Sequence, residues 1–166
     1  QPLAIELVSD FDQRQARWIK TPLDFAETLR IAPKGDAVAV TARGRATLAS
    51  VGQRRRVDLG SPADGRLREA VLTADGKQVL AILDQAGRSE IWSWPSDGSG
   101  TGKRLVADES VHRWRLYPSP DGRWLVHDDK QSQLWLLNLA SGENQLIERA
   151  SFGRDDSYAQ VVWSVD

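Results

Sequence analysis

The chain has 166 residues, a net charge of −1 with both signs mixed along it, no cysteine and no methionine. That length suffices for one domain with a core, the charge balance argues against nucleic acid or an acidic membrane as a partner, and the lack of cysteine excludes disulfides, thiolate zinc sites and cysteine nucleophiles. No stretch approaches the roughly eighteen apolar residues of a membrane span. The start, "QPLAIELVSD", has neither an initiator Met nor a signal peptide, so the chain is expected to be trimmed or excised from something longer.

Residues 1–28 match nothing later in the chain. "LAIELV" has strand composition, and "DFDQRQARW" fits a short helix capped by Asp10 or Asp12, or an irregular crossing segment, with Pro22 ending either. The segment is expected to be a linker leading into a first repeat near Leu29. From there a unit recurs, anchored on Lys34-Gly35, Asp75-Gly76 and Asp121-Gly122, with spacings of 41 residues (34 to 75) and 46 residues (75 to 121). Each unit reads as four short strands. The first ends in "RIAP", "AVLTA" or "RLYPSP". The second spans 37–42, 78–83 or 123–128, the third 46–51, 90–95 or 133–139, and the fourth 55–59, 103–107 or 144–149. In "SPDG", Pro120 presets φ for a type I turn and Gly122 supplies the left-handed residue of a twisted hairpin. The expected units are 29–61, 62–110 and 111–158. Residues 159–166 then open a fourth unit, in which Trp163 takes an aromatic position of the repeat and the chain stops one residue short of the next turn Gly.

The second and third strands are apolar on both faces, as in Val38-Ala39-Val40 and Leu134-Trp135-Leu136-Leu137. A sheet with one wet face would alternate, so these strands need partners above and below. Four-stranded sheets that repeat at this period and stack face to face make a β-propeller. The expected fold is all-β, a partial β-propeller of about three four-stranded antiparallel blades plus the start of a fourth. Because propellers close with roughly four to eight blades, the open flanks would bare apolar faces, and the fragment is expected to self-associate.

"RIAPKGDAVAVTARGRATLASV" resembles the opening of a propeller in tricorn-type serine proteases, where a strand ends in Arg-Gly, here Arg43-Gly44, before the next hairpin. "LVSDFDQRQARWIKTPLDFAETLRIAPKGD" resembles the junction between their two successive propellers. "SPDGRWL" and "IWSWPSDGSG" are also similar to repeats of TolB-like proteins and prolyl-oligopeptidase-type peptidases. Lys34 and Ala74 depart from the usual turn Asp and Pro. The resemblance implies the first three blades, and the start of the fourth, of a seven-bladed second propeller. It also implies a non-catalytic role in filtering peptides and routing them to PDZ-like and serine peptidase domains that have no counterpart here.

The residues themselves offer little chemistry. Serine hydrolysis needs a base, and only His112 and His127 are available, with no Gly-x-Ser-x-Gly motif beside them. His127 ends a blade strand and reads as structural or surface. "SDGSGTGKR" fails the phosphate-loop pattern at Asp97 and Arg104 and joins two strands, so it reads as a hairpin loop. The acidic pairs Asp128-Asp129 and Asp155-Asp156 read as solvated turns and lack calcium-loop spacing. Arg54-Arg55-Arg56 is expected on an outermost strand, where charge discourages edge pairing. Of the seven tryptophans, Trp92, Trp124 and Trp135 fall on repeat positions and read as packing between blades. The functional candidates lie on the innermost strands, which face a propeller's central channel. They are Arg68, Glu69, His112, Arg113 and Arg115, with rim or inter-blade ion pairs as the competing reading.

No catalytic residue, cofactor or metal is expected. The expected partners are peptides and the remaining domains of a parent protein, with no nucleic acid and no membrane span. A TolB-like protein-interaction module is the alternative. The cytoplasm is the expected compartment, and the periplasm the other possibility.

Overall fold

The computed structural model describes residues 20–52, 56–106, 112–150 and 161–164. The expectations placed on Asp10, Asp12, Arg54, Arg55, Asp155 and Asp156 lie outside the described residues. A 3-10 turn covers Pro22–Phe25, with Pro22 in the first-turn position where its missing N–H costs nothing; the segment it was expected to end lies outside the described residues. Three antiparallel sheets follow, each in simple sequence order. The first holds β1 (Ala26–Ile31), β2 (Ala37–Ala42), β3 (Arg45–Ser50) and β4 (Arg56–Asp58). The second holds β5 (Arg66–Leu72), β6 (Gln78–Gln85), β7 (Arg88–Pro95) and β8 (Lys103–Val106). The third holds β9 (Arg113–Pro118), β10 (Trp124–Asp129), β11 (Gln133–Asn138) and β12 (Asn144–Arg149). β1 therefore begins inside the segment expected to be a linker.

The anchoring turn has one geometry in all three sheets. The amides of Gly35, Gly76 and Gly122 donate to the carbonyls of Ala32, Thr73 and Ser119 at 2.8, 2.9 and 3.0 Å. Gly122 has φ 72°, the left-handed region that closes a type I turn into a twisted hairpin. Asp at the second central position adds a local cap. Asp121 Oδ1 accepts the Ser119 hydroxyl and the Arg123 amide, and these bonds, the Ser119 one foremost, hold its pKa at about 2. Asp75 is held in the same way by Thr73 and Lys77. Lys34 lacks this cap but keeps the turn, and its ammonium donates instead to the Asp75 carbonyl of the next sheet at 3.3 Å.

Arg43-Gly44 is the hairpin itself rather than a strand end. Both residues have positive φ, 52° and 74°, as a two-residue type I′ connection between β2 and β3 requires. The Gly44 carbonyl accepts the Leu67 amide at 2.9 Å, and a Cβ at Gly44 would lie 2.7 Å from Arg66 Cγ. The turn glycine thus lets the first sheet touch the innermost strand of the second.

The core lies between the sheets. Val79, Ala81 and Leu83 of β6 pack against Ala39, Leu48 and Val57 of the first sheet. Leu80 and Ile82, the alternate residues of the same strand, pack with Leu116, Leu125 and Leu137 of the third. β6 is buried on both faces, which is why its sequence shows no polar alternation. Each fully buried Val, Leu or Ile among them contributes roughly 1.5–3 kcal/mol. Trp92 packs at the edge of the first interface, as a blade-packing residue should. Trp135 instead stacks on the fully buried His127 of its own sheet, at 6.2 Å between ring centres, and His127 Nε2 lies 3.0 Å from Asn144 Oδ1.

The face of the first sheet that looks away from the second is open. Arg30 and its cross-strand partner Ala39 face the second sheet, so Leu29 and Ile31 project the other way, opposite Val40 and Val38. They are 56% and 73% exposed.

Candidate functional site

β1, β5 and β9 are the innermost strands and lie side by side, β5 in the middle. A cavity of about 540 Å³ opens across them. Its wall is built by the repeat: Glu27-Thr28, Arg68-Glu69 and Trp114-Arg115 occupy the same two positions before the turn residues Lys34, Asp75 and Asp121. The hairpin from β10 to β11 adds Asp129, Lys130 and Ser132 at the rim. At this level the pairing of each innermost strand slips its register, between Ala26 and Thr28, between Arg68 and Val71, and opposite His127–Asp129. Such bulges twist a strand and re-aim its side chains. Within the β5 bulge, Glu69 has φ 50°, in the left-handed region.

The strands are tied by charge. Glu27 Oε1 meets Arg66 Nη2 at 2.7 Å and Glu69 Oε2 meets Arg30 Nη2 at 2.9 Å, two ion pairs of opposite polarity between β1 and β5. Arg68 grips Asp84 with two nitrogens and donates to the Arg113 carbonyl at 2.9 Å, joining β5 to β9. Burial pushes the Asp84 carboxyl up, but the hydrogen bonds from Arg68 and Ser89 outweigh it and hold it below the usual carboxylate range.

Of the five residues expected at the channel, Arg68, Glu69 and Arg115 line this one cavity. Arg68 and Glu69 also form ion pairs between strands, with Asp84 and Arg30. Arg113 does not line it. It is 1% exposed, and its guanidinium donates to the Ser89 carbonyl in the second sheet. His112 stands behind the wall, its ring edge-on to Trp114 at 4.8 Å and its Nδ1 3.3 Å from Ser89 Oγ. Burial and then the Arg68 charge lower its pKa, with Asp84 offsetting part of this. Asp84, Ser89 and His112 are not a hydrolytic triad. The buried Ser89 hydroxyl donates to the carboxylate, which withholds its proton from the imidazole.

Asp128 and Asp129, expected as a solvated turn, are both buried at the end of β10. The strand carries them inward before the hairpin, and backbone donors replace water. Asp129 organises the hairpin: Oδ1 accepts the Gln131 and Gln133 amides at 2.8 and 3.1 Å, and Oδ2 accepts the Trp135 indole N–H at 2.7 Å. Asp128 Oδ1 accepts the Arg115 amide at 2.7 Å, while its Oδ2 is buried without a hydrogen bond among the described residues. Burial raises the Asp128 pKa against the opposing Arg115 amide and charge, and Glu69 adds to the rise.

A consequence for stability follows from that shift. With the folded pKa above the unfolded one, the folded chain holds this proton more tightly, and the resulting stabilisation is lost as pH rises through the folded pKa. Asp128→Asn keeps the oxygen that accepts the Arg115 amide and removes the buried charge. It is expected to raise the melting temperature at pH 7, with the gain disappearing below about pH 4. Calorimetry at the two pH values checks this, and a variant less stable than the parent at pH 7 would contradict it.

Among the described residues, no three or more His, Asp or Glu side chains come together as a metal cage. No helix among them is long and apolar enough to cross a membrane.

Three four-stranded blades, stacked face to face with their first strands side by side around a shared cavity, define a partial β-propeller. No protein-family model and no curated protein sequence matches the chain. Among solved structures, the tricorn protease is similar over 78% of this chain, with a TM-score of 0.66 at 19% identity. A protein from Agrobacterium tumefaciens named as TolB is similar over 75%, with a TM-score of 0.58 at 19% identity. The chain spans 12% of the first protein and 46% of the second. At this identity the likeness shows the fold.

Sequence reasoning missed Glu27 and Thr28, assigned to the linker, and Asp129, Lys130 and Ser132, which arrive from a hairpin. Trp114 was missed too, although its position in the repeat, equivalent to Arg68 and Glu27, is the signal that could have found it.

Proposed function

We propose that the chain is a non-catalytic β-propeller segment of a tricorn-like serine peptidase, which guides or filters peptides toward a catalytic domain outside this chain. The observation that carries the reading is the cavity on the innermost strands, whose wall takes the same two positions from each blade, with at least one charged residue in every pair. A site repeated around a channel acts on what passes through it, and fixed charges of both signs discriminate by charge. The likeness to tricorn protease supports this, and the cytoplasm is the compartment the reading expects. A protein-interaction module of TolB type is the second reading, supported equally by the other structural likeness. It would use the same inner-strand surface on a partner protein.

An antibody against this chain, used on the source cells, separates these readings. The first expects a native band several-fold heavier than 18.4 kDa, carrying peptidase activity. A band at the fragment's own size would overturn it.

The open face of the first sheet makes the isolated chain associate with itself. Light scattering is expected to give a mass above that of a monomer, and Ile31→Lys with Leu29→Lys is expected to shift it toward the monomer. A monodisperse monomer for the parent chain would contradict this.

A further inference from the structure

We propose that the inner-strand cavity seats an acidic side chain of the bound peptide, with Lys130 meeting the carboxylate and the Trp114 indole covering the adjoining apolar surface. This rests on the peptide-guiding reading above and names the class of peptide that it favours.

The charges around the cavity are not equally available. Each lining carboxylate is already satisfied: Glu27 by Arg66, Glu69 by Arg30, and Asp129 by two amides and an indole N–H. Arg68 is spent on Asp84 and on the Arg113 carbonyl. Lys130 differs. It is exposed at the hairpin tip, its amide is tied to the His112 carbonyl at 2.8 Å, and its ammonium makes no ion pair or hydrogen bond among the described residues. Arg115 adds positive charge on the same wall. A basic side chain entering here finds carboxylates already paired with arginines or held by neutral N–H donors, whereas an acidic one finds a cation that has no ion pair among the described residues.

Trp114 supplies the second half of the site. It is 43% exposed on a bulged strand, and the edge-on contact with His112 holds its orientation. A large exposed aromatic beside a cation combines apolar contact area with charge selection. A residue with a short apolar stem and a terminal carboxylate, Glu above Asp, fits both.

The test uses the 166-residue chain and three fluorescein-labelled octapeptides with capped ends, identical except for two central Glu, Gln or Lys residues. Fluorescence polarisation is expected to show the Glu peptide bound roughly fivefold more tightly than the Gln peptide, and the Lys peptide weakest. Lys130→Glu is expected to abolish or invert that order. Trp114→Ala is expected to weaken all three while keeping it. Both positions are at the surface, so unchanged circular dichroism confirms that the variants fold. Binding without charge order, or an order that survives Lys130→Glu, overturns the acidic seat and leaves peptide guiding in place. Failure of all three peptides to bind the parent chain overturns both.

Discussion

Trp94→Ala is expected to destabilise the chain by about 3–5 kcal/mol, the largest effect of any single truncation. Trp94 lies on β7, 3% exposed, within the cluster that joins the first two sheets. Its indole N–H donates to the Gly60 carbonyl at 2.9 Å, and its ring stacks near Trp92 at 6.0 Å between centres. Gly102 lies so close that a Cβ there would come within 2.5 Å of Nε1, so the backbone has been fitted around the ring. Truncation leaves a cavity between the two sheets and removes the hydrogen bond to Gly60, whose exposed carbonyl then turns to water. Trp94→Phe keeps most of the burial and loses the hydrogen bond, a smaller cost of about 1 kcal/mol plus the residual void. Urea unfolding followed by far-ultraviolet circular dichroism checks both, and an Ala variant within about 1 kcal/mol of the parent would contradict the account.

Arg113→Ala is expected to cost roughly 2–4 kcal/mol, and to do so unevenly along the chain. Arg113 straps two sheets in both directions: its guanidinium donates to the Ser89 carbonyl in β7, and its own carbonyl accepts Arg68 Nη2 from β5. Stacked repeats are held by nearest-neighbour interfaces, so loss of one strap loosens the sheet on one side of it. Hydrogen exchange is expected to quicken in β9–β11 while β2 and β3 keep their protection. A uniform loss across all three sheets, or none, would contradict this.

Arg113 also shows where sequence reading stops. The strands and turns were legible because short apolar runs and the recurring turn glycines Gly35, Gly76 and Gly122 are local signals. The inner-strand position of Arg68, Glu69 and Arg115 followed from the phase of the repeat. The direction of a side chain on that strand did not. Leu116 pairs with His127, but Arg113 pairs with Asp129, so one extra residue of β9 is taken up between them. That bulge inverts the alternation and turns Arg113 to the buried face that Leu116 occupies. No residue in "VHRWRLYP" announces the bulge. Lys130 escaped notice, and Asp129 read as part of a solvated turn, for a different reason. They belong to a hairpin remote in pairing from β5, and only the stacking of the sheets brings its tip to the cavity. Glu27 was hidden because β1 has an open flank and alternates half-buried with exposed residues, so its sequence lacks the doubly apolar signal of β6. The Arg43-Gly44 motif was visible, but as a strand end; φ values show the type I′ turn.

The most direct test of the central claim is peptide hydrolysis by the native, full-length protein, compared with the same protein carrying Lys130→Glu. The account predicts that the native protein cleaves peptides, that kcat/KM for the acidic peptide falls roughly fivefold in the variant, and that kcat for a neutral dipeptide ester stays unchanged. A full-length protein without peptidase activity, or one whose preference among peptides ignores the charge at position 130, would contradict it.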